Sequence, residues 1–294
     1  MPRRTNFADY KDAYANFELT LDDDGILLVR QHTDGGSLVW NAEAHDRMSD
    51  VFGDIAGDRS VRVVILTGAG PNFNADWAFL PVGSTDGKPT ELPQDWAPPL
   101  PFMRELSWYG MNILENLLSI EVPIIAAVNG PVNMHTEIPL MSDIVICSDN
   151  AWFQDGPHYR RGVVPGDGQH IIWDMLLGPV RARYLLLTGQ AINAEKALEW
   201  GVVNEVLAPD QLVERAYELA RHIALRSPMA NHYSRRLFTQ NLKRAVLNEL
   251  SHGIGLEVLA QREFYPKGGG MNEMVRPWTD PKPFDDAPNH LPTF

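Results

Sequence analysis

Two histidines of this chain lie in turn-rich segments with carboxylates close by in sequence. His158 and Asp167 share the stretch QDGPHYRRGVVPGDG, and His135 lies upstream in NGPVNMHTEIPLMSD. A neutral imidazole can act as a base, because its unperturbed pKa is about 6.5. A carboxylate on the other ring nitrogen fixes the tautomer and stabilises the imidazolium. The pattern therefore favours acid–base chemistry on water, with His158 and Asp167 as a pair.

The same residue types also have purely structural explanations. A histidine in a loop or core is often simply hydrogen bonded, and aspartate is common in turns such as P-G-D-G. Asp76 and Glu137 are further acidic candidates, although surface or helix-capping roles suit them equally well. Two histidines and an aspartate could ligate a metal, but their spacing matches no standard ligand motif. We therefore expect neither a metal nor a cofactor.

Composition narrows the class of protein. The formal net charge of −13 disfavours nucleic acid as a partner and makes a polyphosphate ligand such as coenzyme A less expected. Arginines in HYRR and YSRRLF could still form a local basic patch. No apolar run approaches the roughly 20 residues of a membrane span, and no secretory signal is recognisable. With a single cysteine, Cys147, in an apolar run, a cytoplasmic protein with no membrane partner is the expectation.

Strands and helices alternate along the first two thirds of the chain. Residues 17–33 alternate around DDDG and predict a hairpin, and three apolar runs predict buried strands at 61–67, 122–128 and 143–148. Helical periodicity is expected at 42–56, at 108–120, and in three segments after Gly168 that each end in glycine. This alternation is typical of an α/β fold with parallel strands.

The remaining segments suggest how the chain is organised. Residues 1–207 are expected to form the core, with a Pro-rich surface loop at 81–101 that is a candidate lid. Residues 208–265 are almost wholly helical in period, with a break at Ser227-Pro228. The glycine- and proline-rich tail at 266–294 has no periodicity and is expected to be extended.

Four segments together resemble the crotonase (enoyl-CoA hydratase/isomerase) superfamily. They are VVILTGAGPNFNADWAF, PIIAAVNGPV followed by MSDIVICSDNAWFQ, GVVPGDGQ, and LLLTGQAINAEKALEWGVVNEV. The resemblance extends over residues 17–262. It implies a ββα spiral core and a C-terminal helical region that assembles a homotrimer or a dimer of trimers.

The active-site positions depart from the usual pattern of that superfamily. FNADWAF has Asp76 where a glycine is usual, and NGPVNMHTE has His135 in place of a glycine. His158 occupies the position of a common acid–base glutamate, seven residues before Pro165. The usual backbone oxyanion hole is therefore in doubt, and imidazoles have entered the cleft.

These departures resemble the β-diketone hydrolase branch of the superfamily, which includes 6-oxocamphor hydrolase. The resemblance implies hydrolysis of a carbon–carbon bond in a cyclic or bicyclic 1,3-diketone to a keto acid by a retro-Claisen reaction. His158 and Asp167 would activate water, and His135 would donate to the departing carbonyl. His45 would act as a second donor or hold a water, oriented by Glu257. Trp40, Trp77 and Phe79 would line the substrate pocket.

Two other interpretations stay open. A CoA-dependent crotonase, such as a hydratase, isomerase or thioester hydrolase, is the alternative enzyme. The lost glycine run and the histidine at position 158 argue against it. A non-catalytic scaffold or RNA-associated member of the fold is the third interpretation, and the concentration of histidine and aspartate in the cleft argues against a dead site.

Overall fold

Ten strands and nine helices are present in the residues that the computed structural model describes, which are 4–77, 99–159 and 163–264. The strands are β1 (Phe17–Leu21), β2 (Ile26–Gln31), β3 (Val39–Trp40), β4 (Val63–Gly68), β5 (Asp76–Trp77), β6 (Ile124–Val128), β7 (Ile144–Ser148), β8 (Trp152–Phe153), β9 (Ile192–Asn193) and β10 (Glu205–Leu207). The helices are α1 (Phe7–Tyr10), α2 (Ala42–Gly57), α3 (Leu100–Ser119), α4 (Glu137–Leu140), α5 (Gln169–Thr188), α6 (Ala194–Glu199), α7 (Leu212–Ala224), α8 (Pro228–Phe238) and α9 (Gln240–Phe264).

A six-stranded sheet in the order β1-β2-β4-β6-β7-β10 forms the centre of the fold. The β1–β2 hairpin is antiparallel, and every other neighbouring pair in the sheet is parallel. The strands are apolar throughout because both faces of the sheet are covered, as in other parallel sheets. The predicted α/β fold with a parallel sheet is confirmed.

Alternate residues of each strand enter two separate hydrophobic clusters. Leu27 and Val29 of β2 face the larger cluster, which holds the inner residues of α2 and α3, whereas Ile26 and Leu28 face the opposite side. That second side is covered by α7 through Leu212, Ala216, Ala220 and Ala224. Alanines four residues apart share one helix face, so α7 can lie close against the sheet.

The hairpin, the buried strands and the break between α7 and α8 agree with the sequence-based expectations. The long helix α3 differs, because it begins at Leu100 rather than near Trp108, so the last two residues of the predicted 81–101 loop are helical. Pro at the first turn needs no N–H partner, which explains a helix start in a proline-rich segment. The rest of that loop up to residue 98, and the predicted tail at 266–294, lie outside the described residues.

Helix ends follow the predicted glycines. Gly189 ends α5 in the left-handed conformation, with φ of 63°, and its N–H donates to the carbonyl of Leu185 at 2.7 Å. Gly178 has φ of 73° and kinks α5 internally, so two predicted helices run on as one kinked element. Within the described ranges, no helix combines the length and apolar character that a bilayer span needs.

The P-G-D-G turn at 165–168 packs directly on the last helix. A Cβ built on Gly253 of α9 would lie 2.4 Å from the carbonyl oxygen of Gly166, and one built on Gly166 would lie 2.1 Å from the carbonyl oxygen of Gly253. Only two glycines permit this approach. The contact matters because Asp167 lies in this turn and Glu257 lies one helical turn beyond Gly253.

Replacing Gly253 by alanine should therefore destabilise the protein although it lies in a helix. Alanine in a helix interior normally gains about 1 kcal/mol over glycine, but the clash with Gly166 should reverse this to a loss of about 1–3 kcal/mol. The measurement is the free energy of unfolding in urea. Gly255→Ala is the matched control, because a Cβ on Gly255 meets no atom within 4 Å. Equal stability of the two variants would contradict the close approach.

Candidate active site

Five residues expected in the site come together in one buried cluster. His45 lies in α2, His135 between β6 and α4, His158 after β8, Asp167 before α5 and Glu257 in α9. Each is exposed by less than a tenth: 4% for His45, 6% for His135, 3% for His158, 7% for Asp167 and 9% for Glu257. Ionisable groups this buried are rarely accidental, since desolvation penalises their charged forms.

His45 is fixed in one tautomer by the start of α2. Asn41 caps this helix, because its side chain accepts from the N–H of Ala44 at 2.8 Å. The carbonyl of Asn41 lies 2.7 Å from Nδ1 of His45. A carbonyl only accepts, so Nδ1 carries the proton. Burial and the neighbouring His135 lower the pKa of His45 to about 3, so the ring is neutral and its Nε2 is an acceptor.

His135 donates to His45 through its Nε2, which lies 2.8 Å from Nε2 of His45. The indole ring of Trp40 lies against both imidazoles, with ring centroids 4.3 Å from His135 and 4.8 Å from His45. The expected role of His45 as a second donor to substrate therefore does not fit this arrangement. Its Nδ1 proton is directed at Asn41 and its Nε2 accepts from His135.

The other nitrogen of His135 faces carboxylates. Nδ1 lies 2.7 Å from Oε1 of Glu137 and 3.7 Å from Oδ2 of Asp167. Glu137 is 1% exposed, so the surface role considered for it from sequence is wrong. His135 itself has φ of 47°, in the left-handed region that favours glycine. His135 thus has a backbone conformation that costs on the order of 1 kcal/mol for a residue with a side chain.

His158 is held by a carboxylate that the sequence analysis missed. Its Nδ1 lies 2.6 Å from Oδ1 of Asp155, three residues earlier in QDGPH. Its Nε2 faces Oδ2 of Asp167 at 3.5 Å and Oε1 of Glu257 at 3.7 Å. Asp155 therefore has the tautomer-fixing position expected of Asp167, which lies on the Nε2 side of the ring. Glu257 approaches His158 rather than His45, so its expected role in orienting His45 is also wrong.

Burial and mutual charge shift the ionisation of the whole cluster. Desolvation lowers the pKa of His158, but Asp155 and Asp167 outweigh it and hold that pKa well above the usual range. For His135, desolvation is likewise outweighed, chiefly by Glu137, and the pKa is raised. Burial raises the pKa of Glu137 to about 7, with a contribution from Asp167. Burial also raises the pKa values of Asp155 and Glu257. The cluster consequently binds protons near neutral pH.

Three buried polar atoms of the cluster lack a hydrogen-bond partner among the described residues: the indole Nε1 of Trp40, Oδ2 of Asp155 and Oδ1 of Asp167. A buried donor or acceptor without a partner costs about 1–3 kcal/mol, so such groups are rare unless a ligand or water satisfies them. An N–H donor and carboxylate oxygens beside the same imidazoles could pair with polar groups of a ligand or with water.

The remaining predicted binding residues are only partly described. Trp40 is fully buried in β3, and β3 pairs in parallel with β5, so Trp40 lies opposite the backbone of Trp77. The side chain of Trp77 and all of Phe79 lie outside the described residues. Asp76, the other acidic candidate, accepts from the side chain of Asn72 at 2.9 Å rather than joining the cluster.

Two groups of three side chains bring ligand-type atoms within 4.8 Å of one another: His135, Glu137 and Asp167, and His158, Asp167 and Glu257. A metal ion could bridge atoms at these separations. The same separations suit a network that shares protons. Within the two groups, Nδ1 of His135 and Oε1 of Glu137 are 2.7 Å apart, whereas the other histidine–carboxylate distances are 3.5–3.7 Å.

Fold and site together define an α/β enzyme scaffold with a buried acid–base centre. The family model for enoyl-CoA hydratase/isomerase matches residues 100–267, more than half of the chain. The chain therefore belongs to the enoyl-CoA hydratase/isomerase family and is an enzyme of the crotonase superfamily.

Similar proteins were found both among curated sequences and among solved structures. A carnitinyl-CoA dehydratase of Escherichia coli (strain SMS-3-5 / SECEC) is 32% identical over 192 residues, which cover 65% of this chain and 68% of that protein. One from Proteus mirabilis (strain HI4320) is 34% identical over the same length and coverage. Among solved structures, a beta-diketone hydrolase from the cyanobacterium Anabaena sp. PCC 7120, bound to (S)-3-oxocyclohexyl acetic acid, is 39% identical with a TM-score of 0.77 and covers 87% of this chain and 97% of that one. An enoyl-CoA hydratase/isomerase from Mycobacterium paratuberculosis, 23% identical with a TM-score of 0.74 over 89% of this chain and 98% of its own, supports the fold alone.

Removing the carboxylate of Asp155 should lower the pKa of His158. In Asp155→Asn an amide oxygen can still accept from Nδ1, but the negative charge that favours the imidazolium is gone. The folded-state pKa of His158 is raised, so its contribution to stability is complete below about pH 6.5 and is lost as pH rises through the folded pKa. In the variant this loss should occur at lower pH.

The measurement is an NMR titration of His158, with Asp149→Asn as the control because Asp149 is an exposed carboxylate six residues away from Asp155. An unchanged pKa of His158 in Asp155→Asn would show that Asp155 does not set its charge.

Proposed function

We propose that this enzyme hydrolyses a carbon–carbon bond in a cyclic or bicyclic 1,3-diketone, giving a keto acid without a cofactor. The observation that carries the proposal is the convergence of His45, His135 and His158 with Asp167 and Glu257 in one buried cluster. Such a reaction needs a base for water, a donor for the departing enolate oxygen and a proton for its carbon. Each task has a candidate side chain within the cluster.

Water activation is assigned to His158. Its Nδ1–H is directed at Asp155, which leaves Nε2 as the nitrogen that accepts a proton when the ring is neutral. Nε2 faces Asp167 and Glu257, whose carboxylates can hold a water molecule beside it. A positioned base of this kind contributes about 10²–10⁴-fold to the rate.

Carbonyl recognition is assigned to the opposite side of the cluster. The unpartnered Nε1–H of Trp40 and the Nε2–H of His135 are neighbouring donors, because their rings are in contact. Negative charge in a departing enolate rests largely on oxygen, and one well-placed donor is worth roughly 3 kcal/mol in the transition state. A substrate carbonyl would replace Nε2 of His45 as the acceptor of the His135 proton.

The reaction balances with water as the one added molecule. The water oxygen bonds to one carbonyl carbon and its proton passes to His158. The bond from that carbon to the carbon between the two carbonyls then breaks, and its electron pair forms the enolate on the second carbonyl. The enolate carbon takes back a proton from the cluster, and the products are a ketone and a carboxylic acid in one molecule.

The comparison with the Anabaena enzyme supports this choice of substrate. That protein is a beta-diketone hydrolase, and the ligand bound to it, 3-oxocyclohexyl acetic acid, carries both a ketone and a carboxylic acid. Joining its acid carbon to the ring carbon that lies beside the ketone and across the ring from the substituted carbon, with loss of water, gives a bridged bicyclic 1,3-diketone. The ligand therefore has the form that hydrolysis of such a diketone would produce.

A CoA-dependent lyase is the second candidate, favoured by the similarity to carnitinyl-CoA dehydratases. Those relatives match about two thirds of the chain at 31–34% identity, less than the 39% shared with the diketone hydrolase structure over a longer range. The buried histidine cluster also gives a CoA thioester no evident advantage, because it supplies side-chain acids and bases rather than a pair of backbone donors.

The direct test is incubation of the purified enzyme with the bicyclic 1,3-diketone whose ring opening gives 3-oxocyclohexyl acetic acid. In isotopically labelled water, we expect one labelled oxygen in the product carboxylate, detected by mass spectrometry. His158→Gln should lower kcat by about 10²-fold or more, because the base is lost. His252→Gln, which changes an exposed histidine of α9, should retain the parent rate. Turnover of carnitinyl-CoA with no turnover of the diketone would overturn the proposal.

The pH dependence of kcat/KM should reflect His158. Its raised pKa means that the base is protonated, and so inactive, until the pH exceeds that pKa. We therefore expect kcat/KM to increase with pH through a midpoint above the ordinary 6.5 of histidine. In Asp155→Asn the midpoint should move to lower pH. A rate independent of pH between about 5 and 9, with chemistry rate-limiting, would be incompatible with His158 as the base.

A further inference from the structure

A continuous chain of side-chain hydrogen bonds crosses the site from α5 to α2. Nε1 of Trp173 donates to Oε1 of Gln169 at 2.9 Å, and Nε2 of Gln169 donates to Oε2 of Glu137 at 2.5 Å. Glu137 then meets Nδ1 of His135 at 2.7 Å. The chain continues through His45 and ends at the backbone carbonyl of Asn41. Trp173 and Gln169 belong to none of the functions assigned so far.

At both ends of this series of hydrogen bonds, the direction of donation is fixed by the chemistry of the end group. An indole nitrogen can only donate, so Trp173 fixes the orientation of the Gln169 amide and makes it a donor to Glu137. A backbone carbonyl can only accept, so Asn41 fixes the His45 proton on Nδ1 and leaves Nε2 as an acceptor. His135 must then carry a proton on Nε2. The two end groups leave the position of one proton undetermined. This is the proton shared between Oε1 of Glu137 and Nδ1 of His135.

The surroundings keep that proton in place near neutral pH. Burial raises the pKa of Glu137 to about 7, and the pKa of His135 is raised by Glu137 against its own desolvation. The other titratable groups that face this pair are Asp167, 3.7 Å from Nδ1 of His135, together with His45, His158 and, through the charge of His135, Asp155 and Glu257. Asp167 favours retention of the proton, whereas the nearby His158 opposes a positive charge on His135.

We propose that Trp173, Gln169 and Glu137 are positioning residues that fix His135 as an Nε2–H donor and supply the proton that makes it cationic. As negative charge forms on a carbonyl oxygen opposite Nε2, the shared proton moves from Glu137 to Nδ1, so a neutral donor becomes an imidazolium without any change in the total number of protons. Glu137 stays paired with it as a carboxylate, stabilised by the N–H of Gln169. The use of this donor on an enolate oxygen rests on the proposed function, but the tautomers do not.

The tautomers can be measured without any substrate. In protein labelled with nitrogen-15 histidine, the ring nitrogens of His45 and His135 report which of them carries hydrogen, and assignment uses the variants His45→Gln and His135→Gln. We expect neutral His45 protonated on Nδ1, and His135 protonated on Nε2 at every pH at which the protein is folded. The proposed series of hydrogen bonds would be refuted by an unprotonated Nε2 of His135, or by His45 protonated on Nε2 alone. This holds whether or not a diketone is hydrolysed.

Glu137→Gln separates the supply of a proton from the fixing of the tautomer. The amide can accept from Gln169 and donate to Nδ1 of His135, so the Nε2–H tautomer is retained but the ring cannot become cationic. We expect kcat to fall about 10- to 100-fold with KM changed less than about twofold. The parent enzyme should lose activity as pH rises through the raised pKa of His135, and the variant should lack this alkaline limb. A kcat within twofold of the parent enzyme would refute the role of Glu137.

Variants of Gln169 and Trp173, which lie further from His135 in the hydrogen-bond series, should lower kcat in the same way but less. Gln169→Met removes the donor to Glu137 and should lower kcat several-fold, and Trp173→Phe removes only the group that orients Gln169 and should lower it less. Trp152→Phe is the control for packing, because Trp152 is a buried tryptophan outside the chain. Asp58→Asn is the control for loss of a buried carboxylate, since Asp58 accepts from Tyr10 instead. If Trp152→Phe and Trp173→Phe change the pH profile of kcat equally, the hydrogen-bond series from Trp173 to His135 has no functional role.

Discussion

The structure depends on how seven buried ionisable groups are kept compatible with one another. Four carboxylates and three imidazoles are withdrawn from water within one cluster, and no arginine or lysine side chain is among its contacts in the described residues. Leaving all four carboxylates charged would be expensive in a medium of low dielectric constant. The short contacts between Nδ1 of His135 and Glu137 and between Nδ1 of His158 and Asp155 let protons bridge acids and imidazoles, and the raised pKa values of Glu137 and His158 agree with this. Protons thus provide the counter-charge that cations provide elsewhere.

The geometry of the cluster also gives its carboxylates different partners. Asp155 and Glu137 each contact Nδ1 of one histidine at 2.6–2.7 Å, so they are partners of the rings rather than of a ligand. Asp167 stands between the two, at 3.5 Å from His158 and 3.7 Å from His135, with one oxygen unpartnered. The two halves, one suited to accept a proton and one suited to donate, are therefore coupled through a single carboxylate. Any change at Asp167 must affect both.

Sequence reasoning found the fold and the five central side chains, and its errors at the site concern which side chains pair with one another and how deeply they are buried. Apolar runs and turn residues predict strands and helix ends because these depend on local periodicity. The pairings within the cluster depend instead on three-dimensional distances and on burial, which local periodicity does not report. Asp155 lies three residues from His158, too close in sequence to stand out from a turn residue, whereas Glu257 pairs with a histidine 99 positions away by residue number. Glu137 was judged equally suited to a surface position because burial is not visible in a four-residue helix.

The site is assembled from segments that range from α2 to α9, and the last of them arrives through a contact between two glycines. During synthesis, the histidines of the first half would leave the ribosome well before Glu257 is made. Until α9 is made and packs on the turn at Gly166, neither Glu257 nor the glycine contact is in place. The complete cluster of ionisable groups therefore requires the docking of a helix that is synthesised long after its histidines.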